Sequence, residues 1–267
     1  MTVRMLETEP GVRIAVRDLG EGEPVLLLHG WTLNHLAWDR QIRLLAEAGH
    51  RVVAMDLRGH GRSDAPLRGY DIERLAADAR SVLAQLDLER VGVVGWSLGG
   101  MTALRLAATD PGRVGRLVLV GSTGVAASRH EGYPFGVPAG VVGGAMRAGE
   151  HADRIGHRRH ALVRTFGAPP PEHVVDHLHA LSLQTPSWVA DACMTTLLYT
   201  EQLDLLDGLS VPMTQISGTG DPFVDADAAR WLSRRVGSTL VELDCGHYPM
   251  FEVPDEFDVA MLKGLTS

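Results

Sequence analysis

The stretch "RVGVVGWSLGGMTALRLAA", Arg90 to Ala108, most constrains the fold. Its first half is an apolar, β-branched run that reads as a buried strand. Its second half carries apolar residues at helical spacing. The period changes at Ser97, hemmed by Gly95, Gly99 and Gly100. A strand that turns sharply into a helix brings two backbones together, and only small residues allow that approach. One hydroxyl is then left exposed at a strand end.

The remainder of the chain repeats this strand–helix unit. "GVRIAVRDLG" alternates and reads as a strand, paired in a hairpin with the N-terminus. "PVLLLHG" at 24–30 and "RVVAMDLRG" at 51–59 are buried runs ending in Gly-containing loops. "AWDRQIRLLAEAG" between them has helical spacing and a stop at Gly49. "YDIERLAADARSVLAQLDL" is a second amphipathic helix, and "RLVLVGS" at 116–122 a further strand. This order predicts a mainly parallel sheet with helices on both faces. Ligands in such sheets bind at the C-terminal strand ends. Those ends carry His29-Gly30-Trp31, Asp56, Ser97 and Gly121-Ser122.

From 122 to 209 the pattern breaks. Gly, Pro, His and Arg are frequent, no clear strand is present, and "PPEHVVDHLHALSL" and "SWVADACMTTLLYTEQLDLL" are helical. A helical insertion is expected there, splitting a core of 1–121 and 210–267. The sheet resumes with "VPMTQISG" at 211–218, a helix around 225–235, "STLVELD" at 238–244 and a last helix from Asp255. A chain of 267 residues, 45% apolar, suits one large α/β domain or one with an insertion.

Composition narrows the function class. The formal net charge is −8 and no basic block is present, which argues against nucleic-acid binding. Lys263 is the only lysine, a trait read as codon composition rather than as a site. Two cysteines, Cys193 and Cys245, make no disulfide framework and fit a reducing cytoplasm. The first residues carry charges where a signal peptide needs an apolar core. No window approaches about 18 uninterrupted apolar residues, so no transmembrane helix is expected. A cytoplasmic protein acting on a small molecule, away from membranes, is the expectation.

Gly95-Trp96-Ser97-Leu98-Gly99 fits G-x-S-x-G, with a strand before it and a helix after it. The bland alternative is a glycine-rich turn with an incidental serine. The helix N-terminus behind Ser97 favours developing negative charge. A serine hydroxyl needs a base to act as a nucleophile. The candidates are Asp221 in "ISGTGDPFVD" and His247 in "LDCGHYPMFEVPDEF", each just past a strand. Asp221 would orient the imidazole, and His247 would shuttle the Ser97 proton. Asp225 and Asp227 are rivals better suited to capping the next helix, and Asp244 shares the histidine's own loop. The backbone N–H groups of Trp31 and Leu98 are the candidate oxyanion donors. His29 reads as a structural histidine bracing the Trp31 loop.

"LLLHGWTLNHLAWDRQI", "DLRGHGRSDAP", "GWSLGG", "GTGDPFVD" and "GHYPMFEVPDEF" occur in an order that resembles an α/β-hydrolase. The likeness covers nearly the whole chain, and is greatest to the serine esterase and cofactor-free haloperoxidase (perhydrolase) group. "GWSLGG" is also similar to the elbow of carboxylesterases that act on acyl-carrier esters. The resemblance implies about eight strands and a helical cap after the sixth, over the site. It implies a serine rather than the aspartate nucleophile of epoxide hydrolases and haloalkane dehalogenases of this fold. Asp56, Arg58, Gly59, Gly61, Ser63 and Asp64 belong to the family signature and read as loop architecture.

Other features carry less. His173 and His177 are spaced to share a helix face, but without H-E-x-x-H or a third ligand they read as solvated. Cys245 reads as a small apolar packer. "GHGRS" and "GEGEP" lack the lysine of a phosphate loop. Neither metal nor organic cofactor is expected. Substrate contacts are expected from Trp31, Leu36, Trp96, Leu98, Trp188, Leu198, Phe223 and Tyr248, with Met194 and Leu197 beside them. That set suggests an uncharged, mostly apolar substrate of small to medium size.

The expected activity is cleavage of a carboxylic ester, lactone or thioester. Rivals are perhydrolysis with hydrogen peroxide and carbon–carbon bond hydrolysis with the same three residues. A ligand receptor that has lost hydrolysis is a rival from another class.

Overall fold

A computed structural model describes residues 3–266. The strands are β1 (Val3–Glu9), β2 (Val12–Leu19), β3 (Glu23–Leu28), β4 (His50–Met55), β5 (Val91–Trp96), β6 (Val114–Val120), β7 (Met213–Gly218) and β8 (Thr239–Leu243). The helices of the first half are α1 (Asp39–Glu47), α2 (Ile72–Gln85) and α3 (Leu98–Thr109). Between β6 and β7 come α4 (Ala139–Ala152), α5 (Arg154–Val163), α6 (Glu172–Ser182) and α7 (Ser187–Tyr199). The chain closes with α8 (Ala226–Val236), a one-turn α9 (Pro249–Glu252) and α10 (Pro254–Thr266).

All eight strands join one sheet in the order β1-β2-β4-β3-β5-β6-β7-β8. β2 runs antiparallel to both neighbours, and every pairing from β4 to β8 is parallel. The central strands are apolar on both faces because helices cover both. α1 and α10 cover one face, where Val25, Leu27 and Val94 meet Phe257 and Met261. α2, α3 and α8 cover the other, where Leu26, Leu28 and Val93 meet Leu75, Leu104 and Leu232. Alternate residues of a single strand therefore feed two separate cores.

Two short elements lie outside the sequence expectation. A 3-10 turn at His35–Trp38, capped by Asn34, precedes α1, and α9 follows His247 at once. Both are too short to show periodicity. No helix among the described residues is long and apolar enough to cross a membrane.

The "DLRGHGRSD" loop is fixed from inside. Arg58 is fully buried and forks onto Asp78 of α2, Nε to Oδ2 at 2.8 Å and Nη2 to Oδ1 at 2.9 Å. Its Nη1 reaches Glu9 of β1 at 3.0 Å, and Thr8 donates to Asp78 at 2.7 Å. The pair thus ties loop, helix and hairpin together. Removing one partner strands a buried charge. Asp78→Ala should lower unfolding free energy by about 3–5 kcal/mol in urea titrations; a loss below about 1 kcal/mol would contradict this role.

Candidate active site

β5 ends at Trp96, and the next residue opens α3. Ser97 holds φ 54° and ψ −116°, a region costing a non-glycine residue about 1–3 kcal/mol. Its neighbours over-determine that strain. A Cβ on Gly95 would lie 2.3 Å from the Gly99 carbonyl oxygen, and one on Gly99 would lie 2.3 Å from that of Leu28. The Ser97 N–H donates to the Val120 carbonyl at 3.0 Å, tying the turn to β6. As the first residue of α3, Leu98 has no intrahelical acceptor for its N–H.

His247 lies past β8 and is 5% exposed. Its Nδ1 is 2.8 Å from Asp221 Oδ2. Asp221 Oδ1 accepts the N–H groups of Phe223 at 2.8 Å and Val224 at 3.1 Å. The carboxylate is thus held from both sides. A carboxylate accepts, so in the neutral ring His247 Nδ1 donates to Asp221 and Nε2 carries the lone pair. Of the rival acids, Asp225 caps α8 through the Asp227 N–H, and Asp227 pairs with Arg230.

Past β3, Thr32 also adopts a left-handed φ, 60°. The insertion grips this loop at three points. Trp31 Nε1 donates to the Ala190 carbonyl at 2.9 Å. Thr185 Oγ1 donates to the Thr32 carbonyl at 3.0 Å, and Asn34 Nδ2 to Gln184 Oε1 at 3.1 Å. Beneath, buried His29 accepts the Leu57 N–H on Nε2 at 2.9 Å. Its Nδ1 donates to the Gly30 carbonyl at 2.8 Å. His29 therefore braces the loop as a neutral ring.

Ser97 and His247 open onto one cavity of about 180 Å³, between the strand ends and the insertion. Trp31, Trp96, Leu198, Phe223 and Tyr248 line it, as do Met194 and Leu197. Three expected contacts fall elsewhere. Leu98 is fully buried in the core shared with α2, because the first residue of α3 turns inward. Leu36 belongs to the 3-10 turn and packs against the core on the α1 face. Trp188 is 48% exposed, since α7 turns Val189, Ala190 and Cys193 inward and leaves Trp188 beside that face.

Sequence reasoning missed the polar wall. Tyr133 lines the cavity with its hydroxyl 3.1 Å from Thr123 Oγ1. Arg158 lines it too, yet is 1% exposed, forked onto Glu150 with Nε to Oε2 at 3.0 Å. It also donates to the Thr185 carbonyl at 2.9 Å. Glu150 and Arg158 lie on different helices joined at Asp153, so no single helical period marks the pair. Cys245 is buried, its thiol pushed up to about 12 chiefly by desolvation. His173 and His177 are exposed on α6. Among the described residues no group of three or more ligand-type side chains gathers.

Residues 23–254 match the family model described as the alpha/beta hydrolase fold. The chain belongs to the α/β-hydrolase family. This α/β-hydrolase is 33% identical to a non-heme chloroperoxidase of Streptomyces lividans, over 83% of this chain and 84% of that one. It is 32% identical to a pimeloyl-[acyl-carrier protein] methyl ester esterase of Aromatoleum aromaticum, over 87% and 94%. Another relative matches at 39% identity but over only half its length. Among solved structures, an esterase from Exiguobacterium antarcticum superposes with a TM-score of 0.94 at 28% identity, covering 98% of this chain and 99% of that one.

The buried rings predict a pH response of this α/β-hydrolase. Burial pushes His29 down to about 4, and burial together with His29 pushes His60 down to about 3. Both depart from an unfolded value near 6.5. As pH falls below about 6.5 the unfolded chain takes up protons that the folded chain refuses, so stability falls. Each ring contributes a slope of about 1.4 kcal/mol per pH unit until its folded value is reached. His60→Asn should remove about one proton from that slope in urea titrations between pH 6 and 4.5. An unchanged slope would contradict the assignment.

Proposed function

We propose that this α/β-hydrolase is a serine hydrolase acting on a carboxylic ester, lactone or thioester through an acyl-enzyme on Ser97. The observation that carries the reading is one cavity faced by a strained serine and by a histidine whose Nδ1 is fixed on a buried carboxylate. Ser97 Oγ attacks the substrate carbonyl while its proton passes to His247 Nε2. The N–H groups of Trp31 and Leu98 hold the oxyanion, each such donor contributing roughly 2.7–4 kcal/mol. Collapse expels the alcohol or thiol with the proton from His247. Water, deprotonated by the same ring, then releases the acid and restores Ser97. Asp221 stabilises the imidazolium and stays ionised.

Trp31, Trp96, Leu198, Phe223 and Tyr248 form the substrate wall in this reading, and an apolar substrate of small to medium size suits it. Residues 122–209 serve as the cap. The esterase names among the relatives and solved structures support ester chemistry, and the chloroperoxidase name leaves the acyl acceptor open. Hydrogen peroxide in place of water is the second reading, favoured by the likeness to the chloroperoxidase. Rates of peracid and acid formation from one aryl ester, with and without peroxide, separate the two.

Ser97→Ala should lose on the order of 10⁶ in kcat on phenyl acetate. A fluorophosphonate should label wild type and leave the variant untouched. Retention of most activity by Ser97→Ala would sink the assignment.

A further inference from the structure

Glu252 does more than end α9. Its carboxylate collects backbone N–H groups from two separate segments. Gly246 donates to both oxygens at 3.0 Å, and Tyr248 to Oε1 at 3.1 Å. From the insertion, Gly167 donates to Oε2 at 2.8 Å. Between them, the His247 N–H donates to the Thr165 carbonyl at 2.8 Å. The His247 carbonyl accepts Trp96 Nε1–H at 2.9 Å. The three consecutive N–H groups of 246–248 are thus held alternately by Glu252, the insertion and Glu252 again.

The two segments also touch backbone to backbone. A Cβ on Gly167 would lie 2.7 Å from the Gly246 nitrogen, and one on Gly246 would lie 2.3 Å from the Gly167 nitrogen. Segment 165–167, which follows α5, is therefore laid directly on the histidine loop. Only a group with acceptors on both ends can bind Gly167 on one side and Tyr248 on the other. A carboxylate has them, while an amide of the same shape presents one donor and one acceptor.

We propose that Glu252 is a positioning residue for His247, and that through Gly167 it couples the base to the insertion. The proposal rests on the reading of His247 as the base. Glu252 touches no reacting atom. It fixes the loop that aims the imidazole between Asp221 and Ser97. Displacements of about 1 Å in such a group cost on the order of 10²-fold in rate.

The test compares wild type, Glu252→Gln, Glu252→Asp and Gly167→Ala on phenyl acetate, with active sites counted by fluorophosphonate. The expected result for Glu252→Gln is a fall of about 10–100-fold in kcat per active site, with KM nearly unchanged. Glu252→Asp, which keeps two acceptors, should recover part of that loss. Gly167→Ala leaves Glu252 intact but crowds Gly246, and should lower kcat in the same way. The low-field proton resonance of His247 Nδ1–H should shift or broaden in both Glu252→Gln and Gly167→Ala. A purely structural Glu252 would lower the melting temperature while kcat per active site and that resonance stayed at wild-type values; that result overturns the proposal. If Glu252→Gln does not fold, Gly167→Ala decides, and an unchanged kcat there overturns it. Failure of the underlying reading looks different, because wild type itself would then resist the fluorophosphonate.

Discussion

The approach of β5 to α3 at Gly95 and Gly99 is the contact on which the rest of the site depends. β5 lies between β3 and β6 in the sheet. A strand there can turn into a helix only where no side chain intervenes, and Cβ atoms at either glycine would collide with backbone. The turn puts Ser97 at the middle of the sheet's C-terminal edge. Its neighbours follow from strand order alone. β3 delivers Trp31 on one side, and β6 delivers Gly121 on the other, where a Cβ would lie 3.2 Å from His247 Nδ1. Residues distant in sequence meet because parallel strands end together.

Among the described residues, two buried carboxylate–imidazole pairs have nearly equal geometry, and their surroundings separate them. Asp56 Oδ1 is 2.7 Å from His35 Nδ1, against 2.8 Å for Asp221 and His247. Asp56 also accepts the backbone N–H groups of His35 at 2.8 Å and Arg62 at 2.9 Å. It therefore stitches the loop after β4 to the turn before α1. His35 is not among the residues that line the cavity at Ser97, whereas His247 is. Distance alone would nominate both pairs, and the cavity selects one. The buried fork of Arg58 on Asp78 belongs with Asp56. Both hold loops beneath the site and contribute nothing to its wall.

The sheet was legible in the sequence because buried strands and amphipathic helices carry different periods, as "PVLLLHG" and "YDIERLAADARSVLAQL" do. The elbow was legible because the period changes at Ser97 among glycines. Asp221 and His247 were legible as polar residues just past apolar runs. The substrate wall was only partly legible. Trp188 and Leu198 lie on one helix, and nothing in an apolar run says which face meets the cavity. Leu98 neighbours Ser97 in sequence, yet a helix turns successive side chains about 100° apart, and it points into the core. Arg158 and Glu150 were invisible, because a charged residue in a helix reads as solvent-facing until its partner on another helix is known. The role of Glu252 has no signature in the sequence, since its partners are backbone N–H donors, which leave no trace in side-chain pattern.

Most of these residues lie in the insertion, and Glu252 lies against it, which changes what the insertion is. Segment 184–190 holds the loop of Trp31, Thr32 and Asn34 through three hydrogen bonds. Segment 165–167 lies against the histidine loop through Thr165 and Gly167. Arg158 joins the first segment to α4 by binding both Glu150 and the Thr185 carbonyl. A lid that merely covered a cavity would need none of these bonds. Built this way, the insertion is bonded directly to the loops that carry Trp31 and His247. On the proposed reading of the site, sequence change within the insertion acts on the barrier to reaction as well as on substrate affinity. The core strands fix where Ser97, Asp221 and His247 stand, and on the proposed reading the insertion fixes how they are aimed.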